Sequence, residues 1–347
     1  MKKVLFVGGG SIGHIAPSIA IAQALQRHGH TDCYFVCSTN PNETTFIKKY
    51  YFACATIPNP RFRPLYALIQ SYRILSAQKP DLVFSKGTSI SIPLCIIAYI
   101  KGIPIILHES DTVMGRANRF LSVLATHVFF QDGNPVRQEI TKGSREKGLH
   151  IAGLSGHKPI LLVLGGSQGA KALNEIIWKN IEKILKICDV IHITGIGKLK
   201  AESWKLKADK GYWSTEFAYD ELPHLYAITD VAISRSGANT IAELEANNIP
   251  TILVPLRGVG HDHQYQNAAL AAKSNPLFTH MEQEKLNNKL MSTIQKLLRT
   301  SNKLFDTLSL ALHPREREKM EAKEYSEATL KITKVILHHL DRGDGHP

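Results

Sequence analysis

Ile160-Leu161-Leu162-Val163-Leu164, followed by Gly165-Gly166-Ser167-Gln168-Gly169-Ala170, sets the frame for the whole chain. The first five residues are wholly apolar, the pattern of a strand buried on both faces of a parallel sheet. The glycines mark a tight turn, and the residues from Ala170 to Ile177 take up helical spacing. Strand, glycine turn and helix start aim backbone N–H groups and the positive end of a helix dipole at one point, which suits a phosphate. The N-terminus repeats the arrangement. Residues 2–7 form a strand, and Gly8-Gly9-Gly10-Ser11-Ile12-Gly13-His14 is the turn. Pro17 then sits in the first turn of a helix with Ile19, Ala20, Ala22 and Leu25 on one face and Gly29 as its stop.

Working outward, the first half predicts further strands at 33–37, 81–84, 103–107 and 128–130, with a helix over 92–99. The second half predicts strands at 160–164, 190–193, 231–234 and 251–254. Strands alternating with helices imply parallel, doubly wound sheets, whose ligands bind beyond the carboxyl ends of the strands. The expected fold class is therefore α/β: two Rossmann-like domains facing across a cleft. Their expected bounds are 1–155 and 156–330, with a linker near 153–159 and a C-terminal helix end and tail over 331–347. Residues 141–158 are polar without clear periodicity. Beyond Gln283 the chain is helical and charged; 315–323 alternates in sign as a solvated helix face, 328–340 is amphipathic, and 341–347 reads as a frayed tail.

With 347 residues, 44% hydrophobic and 21% charged, the composition is that of an ordinary soluble protein of two cores. No apolar run reaches the roughly 18–20 residues of a membrane span. The first strand ends at once in glycine and is not a signal peptide. Five cysteines without CxxC pairing predict a reducing cytoplasm. The net charge of +12 asks for an anionic partner, but no zinc finger or RNP-like motif points to nucleic acid.

Gly8, Gly10 and Gly13 match GxGxxG, yet the second strand runs into Ser38-Thr39-Asn40 with no acid for a dinucleotide ribose. His14 ends the turn and is the candidate general base, with Glu109 and Asp111 of His108-Glu109-Ser110-Asp111 as competing acids. In the second half, Ser236, Gly237 and Ala238 let a ligand approach a helix start, and Glu243, one turn on, can accept two hydrogen bonds from a ribose diol. Polar residues 260–267 can read sugar hydroxyls. His261-Asp262-His263 is too tightly spaced for convergent metal ligands, and no DxD motif occurs, so no metal is expected.

Taken in order, these motifs resemble the MurG glycosyltransferases of family 28. They are the turn at 8–14 with Pro17, Phe84-Ser85-Lys86-Gly87 with Ser91 and Pro93, and His108-Glu109-Ser110-Asp111 with Gly115, Ala117 and Asn118. Gly133-Asn134-Pro135-Val136-Arg137, 164–174, 234–243 and 262–268 follow. The resemblance covers roughly residues 2–270. It implies a GT-B fold and transfer of N-acetylglucosamine from UDP-GlcNAc to the C4 hydroxyl of lipid I, giving lipid II for peptidoglycan, with inversion and without a cofactor. It implies a donor set of Ser11, Gly13, Arg137, Ser167, Gln168, Phe217, Ala238, Asn239, Glu243, His263, Gln264 and Asn267, and His14 as base. Ile12 and Asp111 depart from the commoner family motifs.

Because lipid I lies in the membrane, the resemblance also implies peripheral docking on the cytoplasmic face of the cell membrane. The candidate anionic-lipid surface is Arg61, Phe62, Arg63, Leu65, Tyr66, Ile69, Tyr72 and Arg73, aromatic and apolar side chains interleaved with arginines. Two other classes stay open: an epimerase or hydrolase of UDP-GlcNAc on the same scaffold, and a non-catalytic nucleotide-sugar-binding protein.

Overall fold

Wholly apolar runs ended by glycine or serine become the central strands of two parallel sheets. The computed structural model describes all residues except 30, 167–168, 200–210, 259–261, 312–324 and 343–347, and the side chains of 300–311 and 342 are likewise left aside. The first sheet contains β1 (Lys2–Val7), β2 (Thr31–Cys37), β3 (Ala53–Thr56), β4 (Leu82–Ser85), β5 (Ile105–Glu109) and β6 (His127–Phe130). Their order is β3-β2-β1-β4-β5-β6, all parallel. Its helices are α1 (Ala16–Arg27), α2 (Pro41–Lys49), α3 (Pro64–Gln78), α4 (Ser91–Ile100) and α5 (Arg116–Leu121). The order of strands reverses between β1 and β4, the point where such sheets open a crevice at their carboxyl edge.

The second sheet repeats the scheme. It has β7 (Ile160–Leu164), β8 (Asp189–Ile193), β9 (Tyr212–Thr215), β10 (Val231–Ser234), β11 (Thr251–Leu253) and β12 (Phe278–His280), ordered β12-β11-β10-β7-β8-β9. Here the reversal falls between β7 and β10. Around it run α6 (Arg145–Ala152), α7 (Lys171–Ile184), α8 (Leu222–Tyr226), α9 (Ala238–Ala246), α10 (His263–Ser274) and α11 (Gln283–Ala311). Leu173, Ile177, Ile181 and Ile184 form the buried face of α7, and Leu286, Leu290, Ile294 and Leu297 that of α11. Each such side chain contributes about 1.5–3 kcal/mol on burial, enough for a few of them to outweigh the indifferent helix propensity of Ile.

Contacts divide the chain into Met1–Arg137 with Tyr325–Pro347, and Gln138–Glu324. The division thus falls after Arg137 rather than at 155–156, and the chain from Tyr325 onward joins the first unit. Two packing facts explain both shifts. Residues 145–152, expected as unpatterned, form α6, capped by the Ser144 hydroxyl on the Lys147 N–H and ended by left-handed Gly153. α6 packs on α8, and Gly148 has no room for a Cβ beside the His224 carbonyl, so the segment belongs with the second sheet. The last helix, α12 (Glu327–Arg342), packs on α1 through buried Ala328, Ile332, Ile336 and Leu340. The Ser326 hydroxyl accepts from the Val136 N–H at 3.3 Å, and Lys331 pairs with Asp132. The expected amphipathic stretch is this helix; it runs on to Arg342, past the start expected for the frayed tail. The rest of that tail and the sign-alternating stretch 315–323 lie outside the described residues.

Candidate functional site

In the first unit the glycine turn leaves β1 at the reversal point and carries a short 3-10 turn, Ile12–His14, into α1. The Glu43 carboxylate, fully buried on α2, holds the turn: it accepts from Gly10 N–H at 2.8 Å and from Ser38 N–H at 2.9 Å. Sequence reasoning missed Glu43. Its signal was present as Asn40 followed three residues later by Glu, a capping-box spacing, but the carboxylate reaches across to the neighbouring turn instead of back to its own helix.

His14, Ser11 and Gly13 stand on this turn. Burial disfavours the charged imidazole of His14, and the Lys86 ammonium adds to that, so its pKa lies below the usual histidine range. Asp111, Glu109 and Glu43 pull the other way with less effect. The result is a neutral imidazole at neutral pH, the form a base requires. Glu109 is fully engaged in shaping its own loop. One oxygen accepts from Asp111 N–H at 3.1 Å, the other from Gly115 N–H at 3.0 Å and from the Asn118 amide at 2.8 Å. Gly87, at φ +78°, lies so near Asn118 that a Cβ would stand 1.7 Å from its Oδ1. Arg137 closes the first segment of this unit, with its guanidinium 2.6 Å from the Tyr50 hydroxyl and 5.3 Å over the Phe46 ring.

In the second unit, Gly237 caps α9 and Ala238 begins it. Glu243 on α9 accepts from the Tyr226 hydroxyl at 3.1 Å, so one carboxylate oxygen is oriented from α8. The Asn267 amide donates to the Ser236 carbonyl at 3.1 Å, and the Gln264 carbonyl oxygen accepts from Leu256 N–H at 3.1 Å. These bonds tie α10 to the turns after β10 and β11. His263 begins α10 behind Asp262, whose backbone is left-handed at φ 56°. The buried Ser236 hydroxyl has no partner among the described residues, which leaves it available at a helix start. Phe217 lies beyond β9 with its ring centroid 4.1 Å from that of Tyr219. The structure thus brings Ala238, Asn239, Glu243, His263, Gln264 and Asn267 onto two neighbouring helices, α9 and α10. Ser167 and Gln168 lie outside the described residues. Among the described residues no group of three or more His, Cys, Asp or Glu side chains is placed to hold a metal ion.

The segment 61–73 is exposed as α3 and its lead-in. Phe62 and Leu65 are 77% and 74% exposed, and Tyr66, Ile69 and Tyr72 stand out beside them. Ala67, Ser71 and Leu75 form the buried face of the same helix, so the exposed residues are its outer side. α4 packs alongside and adds exposed Tyr99 and Ile100, while Lys101 places its ammonium 4.5 Å over the Tyr72 ring. Tyr99 and Ile100 were hidden in sequence because they end an apolar helix whose other residues are buried or half-buried. No helix among the described residues is long and apolar enough to cross a membrane.

Comparison with known proteins fits these halves in order. The model of the glycosyltransferase family 28 N-terminal domain matches residues 4–130, and that of the family 28 C-terminal domain matches 160–327. The chain is 33% identical over 366 aligned residues to a curated protein of Clostridium botulinum, covering 96% of this chain and 100% of the relative. That relative is named UDP-N-acetylglucosamine--N-acetylmuramyl-(pentapeptide) pyrophosphoryl-undecaprenol N-acetylglucosamine transferase. Among solved structures, MurG of Acinetobacter baumannii aligns with a TM-score of 0.68 at 22% identity, over 97% of this chain and 100% of that one. A UDP-GlcNAc 2-epimerase of Neisseria meningitidis, solved with UDP-GlcNAc, aligns with a TM-score of 0.60 at 15% identity, over 98% and 100%. At such identities the two structures speak for the fold alone.

Proposed function

From the premise that the chain belongs to glycosyltransferase family 28, we propose that it moves N-acetylglucosamine from UDP-GlcNAc to the C4 hydroxyl of the muramyl sugar of lipid I, giving lipid II. The observation that carries this is the full-length likeness to a curated transferase of that activity. The fold agrees: two six-stranded parallel α/β sheets, as in the GT-B glycosyltransferases.

Each unit then takes one side of the reaction. The second holds the donor: Glu243, oriented by Tyr226, accepts the ribose hydroxyls, and Gln264, Asn267, Asn239 and His263 meet the sugar. The diphosphate lies against backbone N–H groups at the start of α9, where the partial positive charge of the helix end favours it. By the family resemblance, Arg137 is the residue that supplies positive charge for the donor. The first unit receives the acceptor and supplies His14. In the transfer the C4 oxygen attacks the anomeric carbon from the face opposite UDP. The carbon–oxygen bond to UDP breaks with its electron pair, and the hydroxyl proton goes to the neutral imidazole. One displacement inverts the anomeric centre. The residues supply these roles without a metal.

The acceptor carries a lipid, so the outer side of α3 with Tyr99 and Ile100 docks on the anionic inner leaflet. Apolar rings enter the interface while Arg61, Arg63, Arg73 and Lys101 meet the head groups, each basic residue contributing about 1 kcal/mol. The deciding experiment is UDP release from UDP-GlcNAc in metal-free buffer, with and without a short-chain lipid I analogue. Release that needs the analogue, with a disaccharide product by mass, is expected. Release from the donor alone would assign an epimerase or hydrolase, and donor binding without turnover a binding protein.

A further inference from the structure

Phe84-Ser85-Lys86-Gly87 ends β4 at the reversal point of the first sheet, and the transfer mechanism leaves its lysine without a role. Lys86 is only 3% exposed. Its backbone N–H donates to the Val7 carbonyl at 2.9 Å, which fixes the residue beside the end of β1. Its ammonium crosses to β5 and its loop, donating to His108 Nδ1 and to the Ser110 hydroxyl. The other imidazole nitrogen of His108, Nε2, is 3.0 Å from the Gly133 carbonyl. That carbonyl can only accept, so Nε2 carries the hydrogen and Nδ1 is left to accept from lysine. Burial and the adjacent ammonium keep this imidazole neutral, its pKa well below the usual range. These bonds therefore hold a lysine charge in place with no acid among the described residues bonded to it.

The glycine turn lies directly against the base of this lysine side chain. A Cβ built on Gly8 would stand 3.0 Å from the His14 carbonyl oxygen and 3.1 Å from Lys86 Cβ, so the two residues flank Gly8 closely. Opposing charges come from the elements packed here: Glu109 at the end of β5, Asp111 beyond it, and Glu43 on α2.

We propose that Lys86 is a positioning residue for the transfer: its buried ammonium, held by His108 and Ser110 on the residue that flanks Gly8 opposite His14, supplies a positive charge near His14 that favours the proton-accepting imidazole. This rests on the reading of His14 as the base. Burial brings the pKa of Lys86 down to about 7, against the pull of Glu109 and Asp111. The charge is thus present on the acid side, where His14 would otherwise take up a proton, and fades above neutrality, where it is not needed.

The test is an NMR titration of the His14 ring resonances in the full chain, alongside kcat/KM from pH 5 to pH 9. The variants are Lys86→Gln and Lys86→Met, neutral with and without a donor, and Lys86→Arg, which keeps the charge. In both neutral variants the His14 midpoint should rise by about one unit, and it should stay in place in Lys86→Arg. The acid limb of kcat/KM should follow it: activity falls about fivefold against wild type at pH 5 and stays within about twofold at pH 8. A His14 midpoint that stays put in a neutral variant with a cooperative melt overturns the proposal. A midpoint that moves while the acid limb does not overturns His14 as base, and with it the catalytic consequence. Should neither neutral variant fold, the wild type decides, because its His14 resonances must show a second inflection near pH 7, and a single smooth transition overturns the coupling.

Discussion

Lys86 and Arg235 occupy the same station in the two sheets. Each follows the strand that pairs with the first strand of its unit, and each N–H donates to that first strand's last carbonyl, Val7 at 2.9 Å and Leu164 at 3.1 Å. Both are buried, and both side chains cross to the end of the next strand. Arg235 donates to the carbonyls of Val254 at 3.1 Å and Pro255 at 3.3 Å and to Gln283 Oε1 at 2.6 Å. A guanidinium cannot give up its charge at working pH, whereas an ammonium can. The second unit therefore has a fixed cation at its reversal point and the first a titratable one.

Glu243→Ala should raise KM for UDP-GlcNAc about 10- to 100-fold with a smaller change in kcat, since a hydrogen bond to a charged group contributes about 1.5–3 kcal/mol. Tyr226→Phe, which frees the carboxylate to swing, should raise KM by a few-fold. Steady-state kinetics at saturating acceptor analogue separates the two parameters. An unchanged KM in Glu243→Ala would remove this residue from the donor site.

His14→Ala should lower kcat about 10²- to 10⁴-fold, the usual contribution of a positioned base, and leave the Kd for UDP-GlcNAc within about twofold. Calorimetric titration of donor and a rate assay on the same preparation check both halves. Full activity in the variant would move the base to Asp111 or to water.

Replacing Arg61, Arg63 and Arg73 together with glutamate should abolish co-sedimentation with vesicles containing anionic lipid. Tyr99→Ser with Ile100→Ser should weaken it about tenfold, through loss of buried apolar area. Donor affinity should hold in both. Binding to neutral vesicles should be weak even for wild type, and equal binding to both kinds would exclude the electrostatic contribution.

Stability should fall as pH drops from about 6.5. The His192 ring is locked between the Tyr212 hydroxyl at 3.0 Å and Asn174 Oδ1 at 3.1 Å, and burial brings its pKa down to about 3. Unfolding frees it to titrate at its ordinary 6.5, so the unfolded chain binds the extra proton. The stabilisation is complete above pH 6.5 and is lost towards pH 3, with a limiting slope of about 1.4 kcal/mol per pH unit. Urea midpoints at pH 7.5 and pH 5 measure it, and His192→Gln should flatten the difference.

How far the sequence carried is visible in particular strands. Residues 2–7, 160–164 and 231–234 were read with their observed limits, because each holds a short apolar run, buried along its length, that is bounded by glycine or polar residues. β3, β9 and β12 were not read. They are edge strands of three or four residues, partly exposed, and their identity comes from pairing with a neighbour rather than from any pattern of their own. α6 had a capping serine and a closing glycine in plain view but no apolar stripe, since its buried side is made by Gly148 and Ala152. The site residues on helix starts were legible from small residues and glycines. Glu43 and the hold of Lys86 on His108 were not, because both act across elements distant in sequence.

The return of α12 to α1 means that the first unit is written in two pieces, with the whole of Gln138–Glu324 set between them. A ribosome delivers residues in order, and domains fold as units when their residues are all present. The second unit is then complete while the first still lacks the helix that packs on α1. The half made first is the half finished last, and the α3 surface is exposed on a unit that is not yet closed. Cutting the chain before Glu327 should therefore cost the first unit its cooperative melt and spare the second.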